Sequence, residues 1–126
     1  MLLNSHTGNI ELPAFKAWLL AGEALPKALV QDFYKKSTVD TNILYNIYGP
    51  TEACVDSTIY RIERDELNTY NTLPIGVPLP NERIYIVDSF GNSVPQGVVG
   101  ELCIAGAGLA RGYLGNGEEN EKFAKN

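Results

Sequence analysis

Thr51 and Glu52 stand directly behind Gly49-Pro50 in the stretch NIYGPTEACVD, Asn46 to Asp56. Glycine lets backbone approach a ligand because it has no Cβ, and proline fixes the direction in which the chain leaves. The Thr51 hydroxyl can donate to an anionic oxygen. The Glu52 carboxylate is a hard donor suited to Mg²⁺, which commonly shares its shell with substrate phosphate oxygens. Tyr48, just before them, offers a flat face on which a nucleobase could stack. The same residues also suit an ordinary start of a helix or turn after a strand, so the motif alone leaves both readings open.

A second turn, Ala21-Gly22-Glu23-Ala24, ends an earlier apolar run. If the two runs are parallel neighbouring strands, both turns open on one edge of a sheet, where ligands of α/β proteins gather. The alternative is a plain strand-to-helix connection, with Glu23 favoured near a helix start by the dipole. GAGLARGY, Gly106 to Tyr113, resembles a dinucleotide loop only superficially. Arg111 stands where the third glycine belongs and no β-α-β unit follows, so the segment reads as a glycine-rich bend after a strand. A Ser/His/Asp or Cys/His catalytic set has little support, because the one histidine, His6, is remote from every motif.

These turns need elements to hold them. Phe15–Leu20 reads as a buried strand, and Pro26 then opens a helical pattern in which Leu25, Leu29 and Phe33 share a face and Lys35 and Lys36 suit the last turn. Asn42–Gly49 is the next strand, and Val55–Ile62, β-branched and alternating, predicts another. Glu63–Asn71 is polar and reads as loop. LPIGVPLPN has three prolines in nine residues and must be irregular or extended. Arg83–Asp88 and Gly100–Gly106 predict two more strands around the turn chemistry of FGNSVPQGVVG. EENEKFAKN suits the opening of a helix. The fold class expected is therefore mixed α/β: a β-α-β piece over residues 13–62 carrying the nucleotide-type turn, a small β-rich part over 72–115, and the start of a helix over 118–126. Both ends read as cut, one just before a strand and the other within a helix.

The whole chain sets outer bounds. Its 126 residues, 44% hydrophobic and 20% charged, suit one soluble domain with one core. A net charge of −5 without a Lys/Arg cluster argues against nucleic acid and anionic membrane as partners. No apolar run is long enough to span a bilayer, and the N-terminus has no secretory pattern, so the expected location is cytoplasmic. Cys54 and Cys103 are expected to be buried free thiols in a reducing compartment.

At this point the motifs become recognisable together. NIYGPTE (Asn46–Glu52) and GELCIAGAGLARGYL (Gly100–Leu114) resemble two core motifs of the amino-acid adenylation domains of nonribosomal peptide synthetases. LLAGEALP (Leu19–Pro26) and IGVPLPNERIYIVD (Ile75–Asp88) resemble the segments before and between them, in the family's order and spacing. The resemblance implies a partial AMP-binding domain over 1–126 whose parent joins an amino acid to Mg·ATP and passes the aminoacyl group to a carrier-domain phosphopantetheine, beside a condensation domain. It implies that Tyr48 stacks on adenine, Asn46 bonds its edge, Thr51 contacts phosphate and Glu52 holds Mg²⁺, while Gly22, Glu23 and Gly49 line the nucleotide site. It also implies that Leu19, Ala21, Ile47, Val55 and Asp56 line the amino-acid side chain, Asp56 suiting a polar substrate such as Ser, Gln, ornithine or Lys.

Two departures bear on this. Ala21-Gly22-Glu23 replaces the Gly-Gly-Glu of many members, adding one methyl. The family's phosphate loop, ribose-binding aspartate and catalytic lysine have no counterpart in these 126 residues, so the chain alone is expected to be inactive. The alternatives are a piece of another adenylate-forming ligase, of the acyl-CoA synthetase kind, and a folded relic or interaction module without catalysis.

Overall fold

The computed structural model describes residues 16–37, 42–115 and 117–124. His6, Phe15 at the head of the first expected strand, and the end of the last expected helix lie outside them. Strand β1 (Ala17–Leu20) leads to helix α1 (Lys27–Lys36) and strand β2 (Ile43–Tyr48). Strands β3 (Thr58–Ile62), β4 (Val77–Pro78), β5 (Glu82–Val87) and β6 (Glu101–Gly106) follow. Strands β1 to β4 form one sheet in chain order, and β5 and β6 form a second. The α/β reading holds, and the sheet order follows the order of the apolar runs.

Pairing of β1 with β2 is parallel, with Leu20 opposite Asn46, while β2 with β3 and β3 with β4 are antiparallel. Side chains alternate across a strand, so one face of the sheet carries Trp18, Leu20, Leu44, Tyr60 and Ile62. These pack on α1, whose Val30 and Phe33 are buried one turn apart, and on Leu67 and Leu73. The edge of Phe33 meets Trp18 at 5.6 Å between centroids. Pro26, immediately before α1, has φ −68°, the value the ring imposes, and Lys35 and Lys36 sit in the last turn as the helix dipole favours.

Four expectations need correction, the first being that β1, expected to be buried, alternates exposed and half-buried residues instead. The strand expected from Val55 begins only at Thr58, because Cys54 and Val55 have φ of 53° and 73° and turn the chain sharply. That turn brings the Ser57 N–H to the Tyr48 carbonyl at 2.8 Å and the Val55 N–H to the Pro50 carbonyl at 3.2 Å, closing the β2–β3 connection. Alternation of residue types could not reveal a backbone bend. The two cysteines are free but not buried: Cys54 is exposed on this turn and Cys103 is half-buried on β6. The polar Glu63–Asn71 segment contains a 3-10 turn, Asp65–Asn68, which delivers Leu67 to the core. A further 3-10 turn spans Glu119–Lys122. No helix among the described residues is long and apolar enough to cross a membrane.

Candidate functional site

Parallel pairing puts the carboxyl ends of β1 and β2 side by side, and the two glycine turns leave from that shared edge. Between them lies a cleft of ≈ 360 Å³ whose walls include Gly22, Glu23, Asn46, Tyr48 and Gly49, closed on the other side by Thr72, Leu73 and Ile75. The structure thus gathers five of the six residues expected around a nucleotide. Thr51 is not in this wall; it is exposed at the head of the 3-10 turn Thr51–Ala53 that follows Pro50.

The two glycines serve different needs. Gly22 has φ +96°, a region that L side chains resist, yet a Cβ there would meet nothing within 4 Å. At Gly49 the reverse holds: a Cβ would stand 2.4 Å from the Val55 carbonyl oxygen and 2.7 Å from the Ser57 nitrogen. Gly49 is therefore the point where the returning chain crosses the motif.

Asn46 is buried, and its Nδ2 donates to the Pro74 carbonyl at 2.8 Å, which ties the far wall of the cleft to β2. Its Oδ1 remains as the acceptor. Tyr48 stands at the rim with 39% of its surface exposed. The five expected side-chain-pocket residues divide. Leu19 and Ile47 lie on the sheet face opposite α1, Leu19 largely exposed and Ile47 buried. Val55 and Asp56 are exposed on the β2–β3 turn, and Ala21 is exposed just past β1. Of these five, only Ile47 contributes to the cleft wall.

Glu52 has an environment that its sequence neighbours do not disclose. Its main-chain oxygen accepts from the Ala110 N–H at 2.7 Å. Its Oε1 accepts a hydrogen bond from the Tyr113 hydroxyl, and Lys122 Nζ stands 4.0 Å from the same oxygen. The Tyr113 bond, helped by Glu52's own N–H and by Lys122, holds the carboxyl below its ordinary range, and the carboxylate in turn raises the phenol. Both shifts describe one arrangement, a neutral phenol donating to an anion.

GAGLARGY is a bend after a strand, as its glycines indicated, but it also reaches back to the first motif. The Gly108 N–H donates to Glu82 Oε1 at 2.8 Å, and a Cβ on Gly108 would lie 2.8 Å from that same oxygen. Tyr113, Glu82, Asn120 and Lys122 were not singled out by sequence reasoning, since 61 residues separate Tyr113 from Glu52 and no spacing rule joins them. Among the described residues no group of three or more His, Cys, Asp or Glu could hold a metal.

The sequence profile of the family described as AMP-binding enzyme matches residues 1–114. The chain is 41% identical, over 99% of its length, to the hybrid PKS-NRPS synthetase PyvA of Aspergillus violaceofuscus, of which it spans 3%. It is 44% identical over 86% of its length to bacitracin synthase 1 of Bacillus licheniformis and spans 2% of that protein. Among solved structures, PA1221, an NRPS protein containing adenylation and PCP domains, superposes with a TM-score of 0.73 at 26% identity, covering 82% of this chain and 21% of that one.

Proposed function

The chain belongs to the AMP-binding enzyme family, with the sequence of a nonribosomal peptide synthetase adenylation domain, and from that premise we propose that its parent activates an amino acid with Mg·ATP. In that reaction a carboxylate oxygen of the amino acid attacks the α-phosphorus of ATP, and pyrophosphate leaves. The aminoacyl group of the resulting adenylate then passes to the thiol of a carrier-domain phosphopantetheine. Such a displacement needs positioning and charge neutralisation rather than a protein nucleophile.

The cleft at the parallel strand ends carries this reading, because Gly22, Asn46, Tyr48 and Gly49 meet there. Tyr48 presents a ring at the rim for stacking on adenine. Because the Asn46 amide donates to Pro74, its Oδ1 is the atom left to accept from the adenine amino group. Gly22, free of side-chain bulk, lets the adenosine rest against backbone. Thr51, exposed on the turn beyond, donates its hydroxyl to a phosphate oxygen.

The donor set fits Mg²⁺ of the substrate-bridging kind, which takes one or two carboxylates and completes its shell with phosphate oxygens and water. Glu52 would supply that carboxylate, and the ion would offset charge on the phosphates. Leu19, Ala21, Ile47, Val55 and Asp56 would contact the amino-acid side chain. Exposed Asp56 would accept from a hydroxyl, amide or amine, as in Ser, Gln, ornithine or Lys. ATP–pyrophosphate exchange by the parent synthetase tests the reading. Exchange with amino acids is expected, and exchange with fatty or aryl acids alone would overturn it. The 126-residue chain by itself is expected to exchange none.

A further inference from the structure

We propose that Tyr113 is a positioning residue for the Glu52 carboxylate: it occupies Oε1 with a neutral donor so that Oε2 is presented to a divalent cation with its charge undiminished. The inference rests on the reading of Glu52 as the cation-binding carboxylate.

Three observations carry it. Tyr113 bonds one carboxylate oxygen, Oε1, and the approach of Lys122 is to that same oxygen. Lys122 waits 4.0 Å from Oε1, so the carboxylate has a ready competitor for its charge. A hydroxyl orients the anion and leaves it anionic, whereas an ammonium that closed on it would cancel the charge a cation needs. Tyr113 itself is firmly held. Asn120 clamps its backbone from both sides, accepting from the Tyr113 N–H at 2.7 Å and donating to its carbonyl at 3.1 Å. Phe123 meets its ring edge-on at 6.0 Å. A Cβ on Gly112 would lie 2.6 Å from Asn120 Oδ1, so glycine is what lets the clamp close. A phenol needed only to fill space would not require this backbone clamp.

The test uses the full chain, ¹³C-labelled at glutamate and aspartate carboxyls, with Mn²⁺ titrated in the presence and absence of ATP. The readout is the Mn²⁺ concentration that broadens the Glu52 resonance, compared with that for other exposed carboxylates. In the wild type Glu52 is expected to broaden first. Tyr113→Phe keeps the ring contact with Phe123 and is expected to require roughly 10-fold more Mn²⁺, the usual size of a lost outer-shell partner. Adding Lys122→Ala to that variant removes the competitor and is expected to restore most of the affinity, a rescue that a purely structural role would not show. Asn120→Ser, which loosens the clamp and keeps the phenol, is expected to shift in the same direction by less. If wild-type Glu52 broadens no earlier than its neighbours, the cation role of Glu52 falls and this inference with it. If Glu52 is selective in the wild type but Tyr113→Phe and Asn120→Ser leave it unchanged, only the positioning role falls. A loss in Tyr113→Phe that Lys122→Ala fails to restore also overturns it.

Discussion

Asn46 and Ile47 are neighbours in β2 and face opposite sides of the same sheet. Asn46 pairs with Leu20 and Tyr60 on the helix-covered face and donates to Pro74, while Ile47 pairs with Ile59 on the other face. One strand thus presents side chains to both faces of the sheet, and at its carboxyl end both residues also reach the wall of the cleft. The hydrogen bond to Pro74 carries a measurable consequence. Asn46 is 5% exposed, so Asn46→Ala removes a buried donor and leaves a carbonyl without its partner. The expected cost is about 1–3 kcal/mol in urea-induced unfolding, with faster amide exchange at Leu73 and Ile75. Unchanged exchange there would mean that Pro74 is held by something else.

Gly22→Ala and Gly49→Ala should both destabilise, for separable reasons. At Gly22 the obstacle is φ +96° in open space, and the expected cost is about 1–2 kcal/mol with chemical-shift changes confined to the cleft. At Gly49 the new methyl would press on the Val55 carbonyl and the Ser57 nitrogen. Overpacking of that kind costs about 1–3 kcal/mol or more, and amide shifts should move through residues 54–58. Equal and local effects from the two variants would contradict this assignment.

Much of this arrangement was legible beforehand. Apolar runs of the right length gave β1, α1 and β2, and turn chemistry placed Gly22 and Gly49 at strand ends, where parallel pairing sets them around one cleft. What escaped depended on contacts remote in sequence. Nothing in Cys54-Val55 signals a left-handed backbone, and the close approach of Val55 and Ser57 to Gly49 appears only in the folded chain. Nor does any local pattern announce that Tyr113 reaches Glu52, since that contact exists only once the segment after β6 has folded back and Asn120 has closed on it.

Stability should fall on both sides of neutrality, with a sign that follows from the shifts. Glu52 is lowered chiefly by the Tyr113 hydroxyl, and Asp88 chiefly by the Asn92 N–H. A depressed carboxyl contributes stability above its unfolded pKa, about 4, and loses it as pH falls through the folded value. Tyr34 and Tyr60 are raised mainly by burial, and Tyr113 by Glu52. A raised phenol contributes below its unfolded pKa, about 10, and loses that contribution as pH rises through the folded one. Denaturation midpoints measured from about pH 3 to 11 should therefore decline at each end. Tyr113→Phe should make both declines shallower, because it removes one raised phenol and lets Glu52 return towards its ordinary value. Unchanged limbs in that variant would show that the bond is not made in solution.

Val55→Gly should stabilise the chain, against the usual direction for glycine. Val55 has φ 73°, and the Asp56 N–H donates to the Cys54 carbonyl across it at 2.9 Å, a three-residue turn that is rare and strained for a β-branched residue. Releasing a residue from such a region is worth about 1–3 kcal/mol. Against this stands the greater freedom glycine has in the unfolded chain, about 0.5–1 kcal/mol. Packing lost is small, because the side chain is 55% exposed. The balance favours a gain of about 1 kcal/mol, read as a higher urea midpoint with an unchanged slope. A lower midpoint would mean that the Val55 side chain makes contacts in solution whose loss outweighs the strain. If Val55 also lines the amino-acid side chain, the gain in stability should come with weaker discrimination among amino acids in the parent's exchange assay, because the turn that holds Asp56 would lose its stiffness.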